Sequence, residues 1–429
     1  MTSPSTPTRR SRRGAKLIVF PLIAGLLMFF GPSVAYAFGA RAEAIDNRSL
    51  AAFPQFDDGW DYLPKLQAWA IDHLPLRGQA VQADTALSQS IFAEAPSYGG
   101  ASSSVGVAGV GTDAGKKPDG IDYPQVIQGS NDWLYFGADA AAPCQPEESI
   151  DEVADGLQTL TDAAAESGRT LLIVVAPDKS TIHPEFLPDQ FAGKDCMAAR
   201  KAEFNKALSG LSGANVVDLV TPLKAYEQEH PGSVWRSNDT HWTPQGAEVF
   251  TKAVVSALEP SLLDSTSFEL GSPVSSPGDL ARLLGTDGFQ DIPPVTAVRP
   301  GVTLSLNGTT IDPSDVPPVG YSPIELRASS TSSPLYEPTT VLLGDSFFDA
   351  SRTQFAPFFS DLWYVHNMSG DIPGATDTLS GVLKDADTVV YEIVERSAAG
   401  GAISYQDPAN VKALAEAMRS QPVGGAGGR

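Results

Sequence analysis

The chain has 429 residues, a formal net charge of −22 at pH 7 and two cysteines. Its length and its hydrophobic content of 42% suffice for one large core or two smaller ones. A surface this acidic repels polyphosphate, which excludes nucleic acid as an expected partner.

The first 38 residues have the pattern of a membrane-targeting segment. Residues 1–16 form a basic tail, and residues 17–38 form an apolar stretch that can cross a bilayer, for which about 20 residues are needed. The basic tail predicts a cytoplasmic N-terminus, with the rest of the chain outside. The apolar stretch exceeds the usual core of a signal peptide, which favours an uncleaved single-pass anchor in the cell membrane. Cleavage after Ala35-Tyr36-Ala37, giving a secreted protein, is the alternative.

The remainder of the chain divides by composition and periodicity. Residues 39–96 have apolar positions at helical spacing and predict a helical stalk, whereas residues 97–120 are rich in Gly, Ser and Ala and predict a flexible insertion. Residues 121–420 form the expected catalytic domain. Within it, residues 260–338 are rich in Pro, Ser and Asp and predict an insertion with a hairpin. The tail, residues 421–429, has the composition of a disordered segment.

Strand and helix patterns alternate through the catalytic domain. Residues 150–166 have helical periodicity, and residues 170–175 (TLLIVV) form a continuous apolar run typical of a buried parallel strand. The alternation predicts an α/β fold, a three-layer α/β/α sandwich with a mainly parallel sheet. Reactive residues at the carboxyl ends of such strands are expected to meet in one crevice.

The two cysteines, Cys144 and Cys196, predict one disulfide if the domain is exported. The alternative is a catalytic or metal-binding thiol. It is not supported by the sequence, because there is no Cys-x-x-Cys motif and the five histidines are scattered. The sequence therefore predicts no metal site and no cofactor.

Two short motifs combine the groups needed for serine catalysis. Gly344-Asp345-Ser346 follows an apolar β-branched run and precedes a segment that can start a helix, which predicts Ser346 on a strand-to-helix turn. Asp239 and His241 stand two residues apart. A serine hydroxyl needs a base to take its proton, and a histidine oriented by a carboxylate is the usual device.

Each motif alone also has a structural explanation. Asp and Ser are ordinary turn and N-cap residues, and an isolated Asp-x-His is often a surface turn or a pair of metal ligands. Their occurrence together, each at the end of an α/β element, favours acyl transfer through a serine.

The two motifs resemble those of the alginate O-acetyltransferase family, the AlgJ/AlgX-type SGNH-hydrolase-like domain, in which Asp-x-His precedes Gly-Asp-Ser. Further matching segments follow the family's order: residues 46–54 (DNRSLAAFP), 72–77 (DHLPLR), 126–135 (VIQGSNDWLY), 177–185 (PDKSTIHPE), 278–280 (GDL) and 392–396 (EIVER). The chain departs from AlgX because no C-terminal carbohydrate-binding module follows the last of these, which argues against alginate itself as the substrate.

The resemblance implies a role for each motif residue. Ser346 would be the nucleophile, His241 the base and Asp239 the residue that orients the base. Activity would then rise with pH through the reference pKa of histidine, ~6.5. The amide of Ser346 would be one oxyanion donor, and the removal of such a donor typically costs ~3 kcal/mol of transition-state stabilisation.

Four further residues are candidates for contacts with the substrate. Lys179, Asn367 and Arg396 could each supply the second oxyanion donor, although ion pairs that follow buried strands often simply close the edge of a sheet. Trp242, beside the base, either stacks on a sugar ring or covers the core.

The function expected from this resemblance is O-acetylation of an exopolysaccharide or cell-envelope glycan outside the cytoplasm. A membrane-bound O-acyltransferase is the implied acyl donor, because acyl-CoA is absent outside the cell. Two alternatives stay open from the sequence. One is a carbohydrate esterase with the same Ser-His-Asp triad, and the other is a non-catalytic scaffold for polysaccharide assembly.

Overall fold

The computed structural model describes residues 121–423, apart from 122, 287, 319–322, 367–374 and 402–405, together with Phe53, Tyr62, Leu66 and Trp69. The chain divides into two compact units, Met1–Ala93 and Glu94–Arg429. In the first unit Tyr62, Leu66 and Trp69 are helical, and the ring of Phe53 packs edge-on against Trp69 with centroids 5.0 Å apart.

Several of the predicted segments lie outside the residues that the structure describes. The basic tail, the apolar stretch 17–38, most of the stalk, the whole insertion 97–120 and the last six residues lie outside the described part. Within the part that is described, none of the helices combines the length and apolarity that crossing a membrane requires.

The second unit alternates strands and helices. Its strands are β1 (Val126–Gln128), β2 (Leu134–Phe136), β3 (Thr170–Ala176), β4 (Asn215–Val217), β5 (Ser267–Leu270), β6 (Val274–Pro277), β7 (Phe289–Ile292), β8 (Val295–Val298), β9 (Val302–Leu306), β10 (Thr309–Ile311), β11 (Ile324–Ser330), β12 (Thr340–Gly344), β13 (Asp361–His366) and β14 (Thr388–Val394). Its helices are α1 (Ala138–Cys144), α2 (Ile150–Glu166), α3 (Lys179–Ile182), α4 (Lys194–Ser209), α5 (Val220–Glu229), α6 (Pro244–Leu258), α7 (Asp279–Leu283), α8 (Ser346–Asp349), α9 (Arg352–Phe355), α10 (Ala375–Asp385), α11 (Glu395–Gly400) and α12 (Pro408–Ser420).

The central sheet has eight strands in the order β10-β9-β11-β13-β12-β14-β3-β4. Strands β13, β12, β14, β3 and β4 pair in parallel, whereas β10, β9, β11 and β13 pair antiparallel. Three two-stranded sheets accompany it, namely β1-β2, β5-β8 and β6-β7. The parallel half brings the carboxyl ends of β12, β14 and β3 to one edge.

Side chains that alternate along the buried strands fill a core on each face of the sheet. Leu342 of β12 belongs to the core that also contains Phe250 of α6. Its neighbour Leu343 belongs to the opposite core, with Leu157 of α2 and Leu414 of α12. Helices therefore cover both faces, as the sequence predicts for a three-layer sandwich.

The prediction of a mainly parallel sheet is too simple, because the sheet is mixed. Segment 260–338, predicted as an insertion, supplies β9, β10 and β11 to the central sheet. The predicted hairpin is confirmed by the antiparallel pairing of β9 with β10. These strands mix buried, half-buried and exposed residues, so they lack the continuous apolar run that reveals β3 and β12 in the sequence.

A disulfide joins Cys144 at the end of α1 to Cys196 in α4, with Cα atoms 5.6 Å apart. The predicted pairing is therefore confirmed. It links α1, which precedes β3 in the chain, to α4, which follows β3 and α3.

Candidate active site

Ser346 lies where β12 ends and α8 begins. Asp345 is the N-cap of this helix, and its Oδ1 accepts a hydrogen bond from the amide of Phe347 at 2.8 Å. Its Oδ2 accepts from the amide of Val394, the last residue of β14, at 2.9 Å. Asp345 thus fixes the turn to the neighbouring strand and holds Ser346 at the carboxyl edge of the sheet.

Glu392, fully buried in β14, supports the same turn. Its Oε2 accepts a hydrogen bond from the amide of Asp345 at 2.8 Å. Burial, reinforced by the Asp345 charge, raises the pKa of Glu392 well above its ordinary value. A Cβ at Gly344 would lie 3.0 Å from this Oε2, so glycine allows the close approach. Gly344 and Asp345 therefore build the turn that presents Ser346.

The Asp-x-His element faces the serine. Nε2 of His241 lies 2.9 Å from Oγ of Ser346, and Nδ1 lies 3.1 Å from Oδ1 of Asp239. The same carboxylate oxygen accepts from the backbone amide of His241 at 2.9 Å. Because Nδ1 faces a carboxylate, it holds the single proton of the neutral ring, and in that form Nε2 is able to accept the proton of the serine. Residues from two distant motifs thus form one hydrogen-bonded chain.

The carboxylate of Asp239 is buried and held on its other side by Arg236. The guanidinium of Arg236 donates to Oδ2 of Asp239 and, at 3.1 Å, to the carbonyl oxygen of Pro277. Burial favours the neutral acid, but hydrogen bonds and charges from His241 and Arg236 outweigh it and hold the pKa of Asp239 well below its usual range. These contacts therefore favour the ionised form of Asp239.

A second carboxylate, Asp279, also faces His241. It is the first residue of α7, and its Oδ2 lies 3.4 Å from Nδ1 of the ring. Burial works to lower the pKa of His241, but the hydrogen bonds and charges of Asp239 and Asp279 raise it to about 10. The expected titration near ~6.5 is therefore wrong, because the motif spacing could not reveal a second carboxylate from another element.

Asp239, His241 and Asp279 offer donor atoms that all lie within 4.8 Å of one another, a spacing that also suits a cation. Nδ1 of His241 already faces both carboxylates, and the guanidinium of Arg236 supplies positive charge beside Asp239. Both carboxylates thus already face a cationic or proton-donating group, the shared imidazole for both and the Arg236 guanidinium for Asp239. We assign the cluster to holding a proton.

Lys179, at the start of α3, is buried beneath the loop that carries Asp239. Its Nζ donates to the carbonyl oxygens of Arg236 and Ser237, at 3.0 and 3.1 Å. It also lies 5.5 Å from the centroid of the Tyr135 ring. Burial lowers the pKa of Lys179 to about 7, although nearby carboxylates oppose this. In this position Lys179 supports the backbone of the loop formed by residues 236–241, the catalytic loop.

Arg396 belongs to a buried ion cluster at the ends of β3 and β14. Its Nη1 lies 2.8 Å from Oδ1 of Asp178, and its guanidinium lies 5.3 Å from the centroid of the Phe347 ring. Nζ of Lys201 in α4 lies 2.7 Å from Asp178 and 3.1 Å from Glu395. These pairs close the sheet edge, which is the structural alternative that the sequence left open.

Trp242 lies in the core rather than on the surface. It is 3% exposed, and its ring packs edge-on against Phe347 with centroids 5.2 Å apart. This agrees with the alternative that Trp242 covers the core, because a buried ring has no free face for a sugar. Asn367 lies outside the described residues.

Three residues were not assigned a role from the sequence. They are Asp279, Arg236 and Glu392, each within hydrogen-bonding reach of a motif residue. Asp279 and Glu392 occur in the segments 278–280 and 392–396 that carry the family resemblance, which was the available signal.

A family model matches most of the described domain. The family model described as "SGNH hydrolase-like domain, acetyltransferase AlgX" matches residues 126–388. The chain belongs to this family. The match runs from β1 to the start of β14 and contains Asp239, His241 and Ser346, so the resemblance seen in the motifs is confirmed.

Curated relatives match over shorter lengths. A probable alginate O-acetylase AlgJ of Pseudomonas syringae pv. tomato is 30% identical over 138 residues, which are 32% of this chain and 34% of that protein. The AlgJ protein of Pseudomonas putida is 29% identical over 172 residues, 38% of this chain and 43% of that protein. The aligned part thus spans less than half the length of these relatives.

Solved structures include similar chains. The O-acetyltransferase domain of Pseudomonas putida AlgJ has a TM-score of 0.44 and 20% identity, covering 69% of this chain and 99% of that one. Pseudomonas aeruginosa AlgX has a TM-score of 0.40 and 18% identity, covering 63% of this chain and 62% of that one.

Proposed function

We propose that this protein is a serine O-acyltransferase that moves an acetyl group onto hydroxyls of a polysaccharide, through an acyl-serine on Ser346. The observation that carries the proposal is the chain of contacts from Ser346 Oγ to His241 Nε2 at 2.9 Å and from His241 Nδ1 to Asp239 at 3.1 Å. Membership of the AlgX family and similarity to AlgJ proteins named as probable alginate O-acetylases support the reaction type.

The first half-reaction acylates the serine. Oγ of Ser346 attacks the acyl carbonyl of the donor while its proton moves to Nε2 of His241. The tetrahedral intermediate collapses as the bond to the donor's leaving oxygen breaks, and that oxygen takes the proton from Nε2. Asp239 and Asp279 stabilise the imidazolium that forms, because both carboxylates face Nδ1.

The second half-reaction returns the enzyme to its starting state. A sugar hydroxyl gives its proton to Nε2 as its oxygen attacks the acyl-serine carbonyl. The bond from Oγ to the acyl carbon then breaks, and Ser346 recovers its proton from His241. Transfer and hydrolysis differ only in whether a sugar hydroxyl or water attacks the acyl-serine.

The same proposal includes a location and a donor. The apolar stretch 17–38 and the disulfide between Cys144 and Cys196 support a domain tethered outside the cytoplasmic membrane, since disulfides persist in oxidising compartments. Acyl-CoA is absent there, so a membrane-bound O-acyltransferase is the proposed source of acetyl groups. The acceptor is an exopolysaccharide or cell-envelope glycan.

The test is a transfer assay with the purified full-length chain, a chromogenic acetyl ester as donor and a panel of envelope oligosaccharides as acceptors. We expect mass spectrometry to detect acetylated oligosaccharide, with less free acetate than in the reaction without acceptor. Ser346→Ala, the matched control, should give no acetylated oligosaccharide and should release acetate only at the spontaneous rate of ester hydrolysis. Hydrolysis of the ester with no acetylated sugar, together with deacetylation of acetylated oligosaccharides, would replace the transferase with an esterase.

A further inference from the structure

Asp279 contacts the catalytic loop at three points. Its Oδ2 lies 3.4 Å from Nδ1 of His241, and its Oδ1 accepts a hydrogen bond from the amide of Thr240 at 2.7 Å. Its own amide donates to Oδ2 of Asp239 at 3.2 Å. The contacts are reciprocal, since each aspartate carboxylate accepts from the backbone of the other's segment.

The backbone beside Asp279 is adapted to this approach. A Cβ at Gly278 would lie 2.1 Å from the carbonyl oxygen of Asn238 and 2.5 Å from its side-chain Cγ. Distances this short are impossible without displacing one of the two segments, so the close contact between the start of α7 and the catalytic loop requires glycine at this position.

The two carboxylates that face His241 differ in their other charged partners. Asp239 carries a guanidinium, that of Arg236, on its far oxygen, which reduces the negative charge it offers the imidazole. Asp279 is 38% exposed at its side chain, and the ion pair it makes within the described part of the chain is with His241. Asp279 thus supplies a negative charge not already shared with a guanidinium.

We propose that Asp279 is a second positioning carboxylate of the catalytic base: it shares the Nδ1 proton of His241 with Asp239 and fastens the base-bearing loop to α7. The inference rests on the proposed function and deepens it. The reaction then uses a pair of carboxylates, one neutralised by Arg236 and one free to balance the imidazolium that forms in each half-reaction.

Other charged groups near this cluster must be separated from Asp279 in any test. His241 faces Asp239 from its own loop, Asp279 from α7 and the Ser346 hydroxyl from α8. Lys179 of α3 interacts electrostatically with both carboxylates, and its pKa, lowered by burial to about 7, gives it a titration of its own. A measurement on the His241 ring itself is therefore needed beside a pH–rate profile.

The experiment is an NMR titration of the full-length chain with 13C-labelled histidine Cε1, in wild type and Asp279→Asn. The chain has five histidines, and the signal of His241 is assigned by its loss in His241→Gln. We expect Asp279→Asn to lower the pKa of His241 by at least about one unit, because an opposite charge at this range typically shifts a pKa by 1–3 units. The inflection of kcat/KM with a small acetyl ester should fall by a similar amount.

Two variants complete the design. Asn at 279 keeps an oxygen for the Thr240 amide, so Asp279→Asn removes the charge alone. Asp279→Ala also removes this side-chain hydrogen bond to the catalytic loop and should have a lower kcat than Asp279→Asn. Asp291→Asn, an exposed aspartate in β7, is the matched control and should leave both titrations unchanged.

An unchanged His241 titration in folded Asp279→Asn would overturn the proposal. The NMR reading does not depend on turnover, so the two proposals fail separately. A protein without acyl transfer whose ring still shifts would refute the function alone. An active protein whose ring does not shift would refute the role of Asp279 alone.

Discussion

His241 is the residue whose surroundings depart most from what the motifs imply. A histidine beside one carboxylate was expected, but the folded chain adds Asp279 and raises the pKa of His241 to about 10. The same carboxylates that make the ring a stronger base also keep it protonated near neutral pH. At neutral pH a smaller fraction of His241 is therefore in the form that can accept a proton, but Nε2 of that form is a stronger base.

The pH dependence of activity follows from this. Because neutral imidazole is the form that accepts the serine proton, kcat/KM for a small acetyl ester should still be rising at pH 8 to 9, well above the ~6.5 of an unperturbed histidine. A pH–rate profile measures it, with the spontaneous hydrolysis of the ester subtracted at each pH. A profile that levels off at or below pH 7 would show that the carboxylates do not hold the proton as described.

Asp239 and His241 should act as one unit with Ser346. Asp239→Asn and His241→Ala should each lower kcat by at least about a hundredfold while the far-UV circular dichroism is retained, and the double variant should fall little further, since residues of a triad are strongly non-additive. Losses in kcat that multiply in the double variant would mean that the two side chains act independently, contrary to their 3.1 Å contact.

At the scale of elements, the sequence predicted best those strands that a single local pattern identifies. The continuous apolar runs identify β3 and β12, and the turn after β12 places Ser346 correctly at a sheet edge. The β9–β10 hairpin was predicted, but its place in the central sheet beside β11 was missed, because strands that mix buried, half-buried and exposed residues carry no such run. Asp279 was missed as a partner of His241 for another reason: 40 residues separate it from Asp239 in the chain, and only the fold brings them together.

The junction between α7 and the catalytic loop gives an element-scale prediction. Gly278→Ala would place a Cβ 2.1 Å from the carbonyl oxygen of Asn238, so α7 must move and the contacts of Asp279 must lengthen. We expect a lower kcat for a small ester and a lower melting temperature.

The control for this variant is Gly381→Ala in α10. A Cβ there meets nothing within 4 Å, and alanine favours a helix over glycine by about 1 kcal/mol, so stability should hold or rise. Equal behaviour of the two variants in kcat and melting temperature would mean that the junction tolerates displacement and that the catalytic loop does not depend on it.

At the scale of the whole molecule, the described domain combines a two-sided α/β core with one covalent link. The overall class, the three layers and the disulfide partners followed from alternating patterns and from having two cysteines. The mixed character of the sheet did not, because strand order and direction depend on long-range pairing that no local pattern records.

The disulfide should contribute to the stability of the domain. Cys144 and Cys196 are 52 residues apart, and closing a loop of that size stabilises the folded state by roughly 4 kcal/mol in the chain-entropy model. Cys144→Ser/Cys196→Ser should lower the free energy of unfolding by a large part of that amount in denaturant titrations, as should reduction of the wild type. Unchanged stability in both cases would contradict a structural role for the bond.

The central claim is that Ser346 carries the acyl group, and the most direct test is to trap it there. The full-length chain is mixed with a chromogenic acetyl ester, quenched in acid during the first turnovers, digested and mapped by mass spectrometry. The account predicts one acetyl group on the peptide that contains Ser346 and none on that peptide in Ser346→Ala, whose turnover should fall at least about a thousandfold. An acetyl group on another residue, or wild-type turnover in Ser346→Ala, would contradict it.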